Sequence, residues 1–203
     1  LPFCIPRSNS QAASRKKAVG RIFSGAPPSE SNGIYVFARN LFNALLHWVP
    51  IVFQRPAARK GAWNMVGGFD ETTLFSDSGW AIKASAMCTV ALTRQSVTRW
   101  RIHGDNFGWL SDHEPDDAAL RQLDNTLASA KALEGYFAQR EQTARSQLEQ
   151  MRLHLSASHF SRAYFLRDTD NRLGLPSLLI SFMLSPRLKH LKLLLRYCLP
   201  VRT

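Results

Sequence analysis

The chain has 203 residues, is 45% hydrophobic and carries a formal net charge of +11. It is long enough to bury a core and too apolar for a disordered polymer. The charge points to anionic partners, whether nucleic acid, acidic lipid headgroups or a phosphate-bearing substrate, and does not by itself choose among them. Residues 1–60 hold nine Lys/Arg against one acid, residues 61–139 six against ten, and residues 140–203 eleven against four. An acidic centre thus lies between two basic ends. That layout suits a carboxylate-bearing site flanked by surfaces facing something anionic, and it equally suits ordinary surface variation.

Cys4, Cys88 and Cys198 are odd in number and lack CxxC spacing, so neither a disulfide framework nor a zinc site is expected. A reducing, cytoplasmic compartment is the expectation. The sequence opens Leu-Pro-Phe-Cys with no initiator Met and no signal-peptide pattern, and it reads as continuing from something upstream.

In chain order, residues 1–33 read as a loop-like basic segment, with Pro6, Pro27, Pro28, Gly20, Gly25 and the cluster Arg15-Lys16-Lys17. From Ile34 to Phe53 the composition turns apolar. Leu41, Leu45 and Trp48 at helical spacing predict a helix, followed by a buried strand through Val49-Pro50-Ile51-Val52-Phe53. A short helical turn from Arg59 to Val66 is ended by Gly67-Gly68, a residue type that accepts left-handed backbone after a helix. Residues 77–87 predict a helix capped by Ser76 or Asp77 and burying Trp80, Ile82 and Met87. Residues 88–103 read as strands, with Val90 and Leu92 alternating with small or polar residues.

Beyond a loop over 104–115 the character becomes helical. Leu120, Leu123, Leu127, Ala130, Leu133 and Phe137 recur at three and four residues, predicting one long amphipathic helix from about 116 into the 150s. Asp168-Thr169-Asp170-Asn171 reads as a turn, Leu175 to Leu184 as an apolar helix, and Leu188 to Leu199 as a basic amphipathic helix. No run suffices for a membrane span, which needs about 20 apolar residues. The last helices either pack on their own domain or lie on a membrane, with Lys189, Lys192 and Arg196 toward headgroups and Leu191, Leu194 and Leu195 inward.

Three features carry candidate chemistry. In Gly67-Gly68-Phe69-Asp70-Glu71, the glycines permit a sharp turn, Phe69 anchors it, and two carboxylates stand at its end, although generic turns look similar. Asp77 opens a helix close behind and suits a general base for an acceptor hydroxyl or, with the same atoms, a helix cap. Arg101 and His103 project from one face of a strand, with Asn106 just beyond it. That pair suits a diphosphate and its divalent cation, or a structural pairing with the acidic residues 112–117.

Taken together, these passages resemble family 2 glycosyltransferases. Gln54-Arg55-Pro56 followed by Trp63-Asn64-Met65-Val66-Gly67-Gly68-Phe69-Asp70-Glu71 resembles that family's Arg-containing segment, short helix and Gly-Gly-Phe-Asp-Glu turn. Ser76-Asp77 and the helix to Lys83 are similar to its Glu-Asp helix, and Trp100-Arg101-Ile102-His103-Gly104-Asp105-Asn106 to its aromatic-Arg-x-His-x-x-Asn strand end. Ser76 stands where the family often has Glu, and Lys83 where it often has Arg.

The resemblance covers about residues 48–108 and implies an α/β, GT-A-like domain. That domain is incomplete, lacking most of the N-terminal nucleotide-binding half, with the acceptor side over 34–112 and a helical C-terminal extension over 113–203. It implies a nucleotide-sugar donor, a glycan or lipid-linked acceptor, and Mg or Mn. By it Asp77 takes the place of the catalytic base and His103 of the metal ligand. Gly68, Phe69, Asp70, Glu71, Trp80, Arg101 and Asn106 would bind substrate.

Asp168-Thr169-Asp170 is a decoy for the family's metal-binding Asp-x-Asp, since a polar turn between helices lacks the rigid strand end required. The expectation is an inverting sugar transferase at the cytoplasmic face of a membrane, touching it through the basic C-terminal helix, with the activity of this chain alone in doubt. The alternative is a non-catalytic basic helical module that binds an anionic membrane or nucleic acid. Nucleic acid is disfavoured, because no helix-turn-helix, zinc finger or aromatic RNA-binding motif accompanies the charge.

Overall fold

The structure is a computed structural model that describes residues 28–38, 41–47, 49, 57–73, 75–93, 115–141, 143–167 and 170–198. It is mixed α/β with a helical part, and it divides into two compact units. One comprises residues 1–72 and 76–102, the other residues 73–75 and 103–203.

The first unit carries a small sheet. Strand β1 (Ser29–Ser31) turns through Asn32-Gly33 into β2 (Ile34–Ala38), with φ of 52° at Asn32 and 74° at Gly33. Positive φ at both central positions is what a two-residue type I′ hairpin requires, and Asn-Gly is its preferred pair. Strand β3 (Thr89–Thr93) adds antiparallel to the other edge of β2, pairing Ile34 with Thr93 and Phe37 with Val90 in the order β1-β2-β3. Two expectations are corrected here. The apolar run from Ile34 begins as a strand rather than a helix, because β-branched and aromatic residues there pair with the equally β-prone β3. The segment expected to be loop-like ends in a paired strand at Ser29–Ser31.

Helix α1 (Phe42–His47), α2 (Lys60–Val66) and α3 (Ser76–Met87) complete this unit. α1 and α2 both pack on α3, which also packs on β3. Buried Leu41, Phe42, Leu45 and Leu46 line the α1 segment, while Val66, Trp80 and Ala84 form a cluster edged by Trp63, Met87 and Cys88. Of the strand expected at 49–53, only Val49 lies among the described residues, and the strand expected beyond Thr93 falls outside them.

The second unit stacks four helices: α4 (Pro115–Ala138), α5 (Arg145–Leu166), α6 (Asn171–Leu184) and α7 (Leu188–Cys198). Each packs on the next in sequence. The single helix expected from 116 into the 150s is therefore two. After Phe137 the residues Gln139, Arg140, Glu141, Gln142 and Thr143 offer no apolar face, so nothing rewards a straight continuation past the end of the packed stripe. Thr143 N–H instead bonds Arg140 O at 3.0 Å, and Gln147 Oε1 accepts from Ala144 N–H at 3.1 Å to start α5.

Leu127, Ala130 and Leu155 join α4 to α5, and Ala163, Leu178 and Leu193 join α5, α6 and α7. Polar links bind the same helices. Arg162 of α5 donates to Asp124 of α4 and, at 3.1 Å each, to Leu173 O and Ser177 Oγ of α6. Deeper in, Ser156 Oγ donates to Ser181 O at 2.8 Å, Ser181 Oγ donates to Ser156 O at 2.6 Å, and His190 Nε2 lies 2.9 Å from Ser181 Oγ. With Nδ1 accepting from Arg187 N–H at 3.1 Å, Nε2 bears the proton and donates to Ser181 Oγ, so one tautomer satisfies the whole set.

Buried Gly174 and half-buried Tyr197 set the closest approach. A Cβ at Gly174 would overlap the Tyr197 hydroxyl, which donates to Ala163 O, and would lie 3.1 Å from Leu166 Cβ. Gly174→Ala should therefore destabilise the helical unit by about 1–3 kcal/mol in urea unfolding followed by far-UV circular dichroism. The penalty should shrink in a Tyr197→Phe background, where the hydroxyl is gone; an undiminished penalty would place the strain elsewhere.

His159 of α5 is buried, and its Nδ1 has no hydrogen-bond partner among the described residues. Burial, reinforced by the charges of Lys131 and Arg162, pushes its imidazole down to about 4, and burial lowers that of His190 as well. Between about 4 and 6.5 the unfolded chain then binds protons that the folded form excludes. Stability should fall as pH drops through that window, at up to about 1.4 kcal/mol per pH unit for each proton taken up. His159→Leu should flatten this acid limb and leave the parts due to His190 and, at its acid end, Asp70, as read from unfolding midpoints between pH 4 and 8.

Candidate functional site

The candidate site is assembled at the join of α2, the turn after it, and α3. α2 ends where Gly67 N–H bonds back to Trp63 O at 3.0 Å, with Gly67 at φ 82°, ψ 160°. The expectation of a left-handed stop is met in φ but not in ψ. The observed pair lies in a region open in practice only to glycine, and it throws the chain outward instead of curling it back. Gly68 then passes flat against the Trp63 indole, where a Cβ would stand 3.4 Å from Cζ2.

Trp80, one turn into α3, donates from Nε1 to Gly67 O at 2.8 Å. Its ring stacks on Trp63 at 5.3 Å between centroids and 28° between planes. Phe69 meets Trp63 edge-on at 5.1 Å and Trp80 at 6.4 Å, while 47% of its surface stays exposed. The turn is thus pinned to α3 by one hydrogen bond and the Phe69–Trp80 contact, with Trp63 bridging from α2 to both rings, each ring pair worth about 0.5–1.5 kcal/mol beyond the area it buries. Trp63 is the member of this group that the sequence places in the motif without assigning it a role. Its spacing of four before Gly67 is the signal that would have found it, because that spacing brings its carbonyl under the cap.

The carboxylates are positioned differently. Asp70 Oδ1 accepts from Thr72 N–H at 3.0 Å and from the Thr72 hydroxyl, closing a small turn. The Thr72 hydroxyl holds the Asp70 carboxyl below its ordinary value against the opposing effect of burial, helped by the Thr72 N–H and the charge of Lys83. Lys83 is itself buried on α3, so the turn and the helix are coupled electrostatically as well as by the indole. Glu71 is exposed.

Asp77 lies inside the first turn of α3 rather than capping it, which corrects the expectation that Ser76 or Asp77 is the cap: the helix already includes Ser76. Its half-buried carboxylate accepts through Oδ1 from Ser78 N–H at 2.6 Å and from Ser78 Oγ at 3.3 Å. Oδ2 makes no hydrogen bond among the described residues, so one oxygen is anchored and the other is available.

Gly68, Phe69, Asp70, Trp80 and Asp77 therefore share one substructure. Arg101, His103 and Asn106, the residues expected at the diphosphate and metal, lie outside the described residues. Asp170, of the decoy Asp-x-Asp, N-caps α6 by accepting from Arg172 N–H at 3.0 Å and Leu173 N–H at 3.2 Å, while Asp168 and Thr169 lie outside the described residues. Among the described residues no group of three or more His, Cys, Asp or Glu converges to hold a metal ion, and no helix is long and apolar enough to cross a membrane. No family model, curated protein or solved structure matches the chain.

Gly67→Ala should cost about 1–3 kcal/mol, because any side chain is strained at that backbone conformation. Trp80→Phe, which keeps the ring but loses the bond to Gly67 O, should cost about 1 kcal/mol plus any packing change. Thermal unfolding of both variants tests this, and a neutral Gly67→Ala would show that the turn relaxes freely.

Proposed function

We propose that residues 34–112 form the acceptor side of a GT-A-like, family 2-like glycosyltransferase that moves a sugar from a nucleotide-sugar donor to a glycan or lipid-linked acceptor with inversion. The observation that carries this reading is the state of Asp77. Its carboxylate is fixed through one oxygen, presents the other, and stands at a helix N-terminus that favours negative charge, on the same helix that pins the Gly-Gly-Phe-Asp-Glu turn.

In that role the free Asp77 oxygen takes the proton of an acceptor hydroxyl as the hydroxyl oxygen attacks the anomeric carbon, and the bond from that carbon to the nucleoside diphosphate breaks. The exposed edge of Phe69 offers a stacking surface for a sugar ring, and Asp70, oriented by Thr72, offers hydrogen-bond acceptors to its hydroxyls. Glu71, Trp80 and Gly68 shape the same wall, with Trp80 acting through its hold on Gly67. Arg101 and Asn106 are proposed to bind the leaving diphosphate.

The Mg or Mn that the resemblance implies finds no set of donors among the described residues, and His103 lies outside them, so no step is assigned to a metal. Cytoplasmic placement is proposed from the donor class.

The test is Asp77→Asn. The amide oxygen can still accept from Ser78, so the fold should persist with an unchanged unfolding midpoint. Transfer of label from a panel of nucleotide-sugars should fall about 10²–10⁴-fold. Turnover that survives in the well-folded variant would remove Asp77 as the base.

A further inference from the structure

Helix α6 is built inside out. Its buried side consists of Gly174, Ser177, Leu178 and Ser181, whereas Leu173, Leu175, Leu179, Ile180 and Met183 are 52, 37, 48, 41 and 82% exposed. Helices on the surface of a water-soluble protein show the opposite arrangement. α7 repeats the theme beside it. His190 and Leu193 are buried and Leu194 packs into the core, but Leu188, Leu191 and Leu195, on one stripe, are 67, 46 and 66% exposed. Lys192 and Arg196 border that stripe at one turn's spacing.

Charge says what covers these faces. No Asp or Glu follows Asp170, while Arg172, Arg187, Lys189, Lys192, Arg196 and Arg202 do. A surface that is apolar at its centre and, beyond the Asp170 cap of α6, bordered along its own chain by cations alone complements an anionic lipid interface, where leucines enter the acyl boundary and basic side chains meet headgroup phosphates. Spanning is excluded for these helices: α6 has 14 residues, about 21 Å, against a hydrocarbon core of about 30 Å.

We infer that the exposed sides of α6 and α7 dock the helical unit onto an anionic lipid surface, with Met183, Leu188, Leu191 and Leu195 inserted and Lys192 and Arg196 at the headgroups. This differs in detail from the arrangement expected from sequence. Leu194 belongs to the core, and the Lys189 ammonium lies 4.1 Å over the Phe160 ring, held against the protein rather than extended toward a headgroup.

The test is co-sedimentation of the full chain with vesicles of phosphatidylcholine, alone or with roughly a third phosphatidylglycerol, the anionic share such attraction requires. Binding is expected only to the anionic vesicles and should weaken with salt. Lys192→Gln and Arg196→Gln should each lower partitioning about five-fold. Because residues 1–60 are also basic, the deciding variants are apolar-to-acid changes at exposed positions, Met183→Asp with Leu195→Asp, which should abolish binding while circular dichroism stays unchanged. Met183→Trp should gain fluorescence quenching by lipids brominated in their acyl chains, relative to the parent chain.

The inference is overturned if the Asp variants bind as the parent does. It is equally overturned if the parent ignores vesicles and instead dimerises through this face, or binds nucleic acid alone.

Discussion

The first unit depends on α3 being enclosed on every side. Seven consecutive residues, from Gly79 to Ser85, are buried, so the helix has no solvent face along two turns. Such a helix needs partners all round. α1, α2 and β3 supply them, and the small residues Ala81, Ala84 and Ser85 lie on the enclosed stretch. Enclosure also explains Lys83, a cation carried into the interior, whose charge is felt at Asp70 on the turn leading into the helix. Only the ends of α3 are half-buried, and Asp77 stands at the N-terminal one.

The helical unit is held by a different logic. Its α5–α6 contact sets Ser156, Ser181, Gly174 and Ala163 beside Leu166 and Leu178, so hydrogen bonds and small residues share the contact with aliphatic packing. Reciprocal Ser156–Ser181 hydrogen bonds replace area with direction, since each hydroxyl reaches the other helix's backbone only in one register. Leu178 is the large residue α6 buries here, whereas Leu173, Leu175, Leu179, Ile180 and Met183 point elsewhere, and small inward residues allow the close approach that Gly174 and Tyr197 show.

Much of this was legible in the residues, for physical reasons that can be stated. The glycine stop at Gly67, the alternation of Val90 and Leu92 and the amphipathic last helix all rest on local periodicity or backbone chemistry, whereas Asn171, expected in a turn, already belongs to α6. The Asn32-Gly33 hairpin was hidden because the surrounding Pro, Ser and Arg made its strand look like part of a loop. The break after Ala138 was hidden because it contains neither Gly nor Pro and arises only from the end of a packing surface. The inversion of α6 escaped notice because an apolar helix reads the same whether its leucines point in or out.

The site divides likewise. The order of the motifs was visible, but the Trp63–Trp80 stack and the indole bond to Gly67 O were not, since side chains 13 to 17 residues apart meet only through the fold.

The sequential stacking of α4 to α7 has a consequence for how the chain acquires and loses its shape. Each helix finds its principal partner next in sequence, so the helical unit has low contact order and needs no distant strand to close before it gains stability. It can also come apart in the reverse order. α7 is fastened to α6 and, through Lys189 and His190 on Phe160 and Tyr197 on Ala163 O, to α5, and it can peel away from both while the α4–α5 pair stays intact. The last helix is thus the natural point of first opening, a hinged end on an otherwise zippered stack.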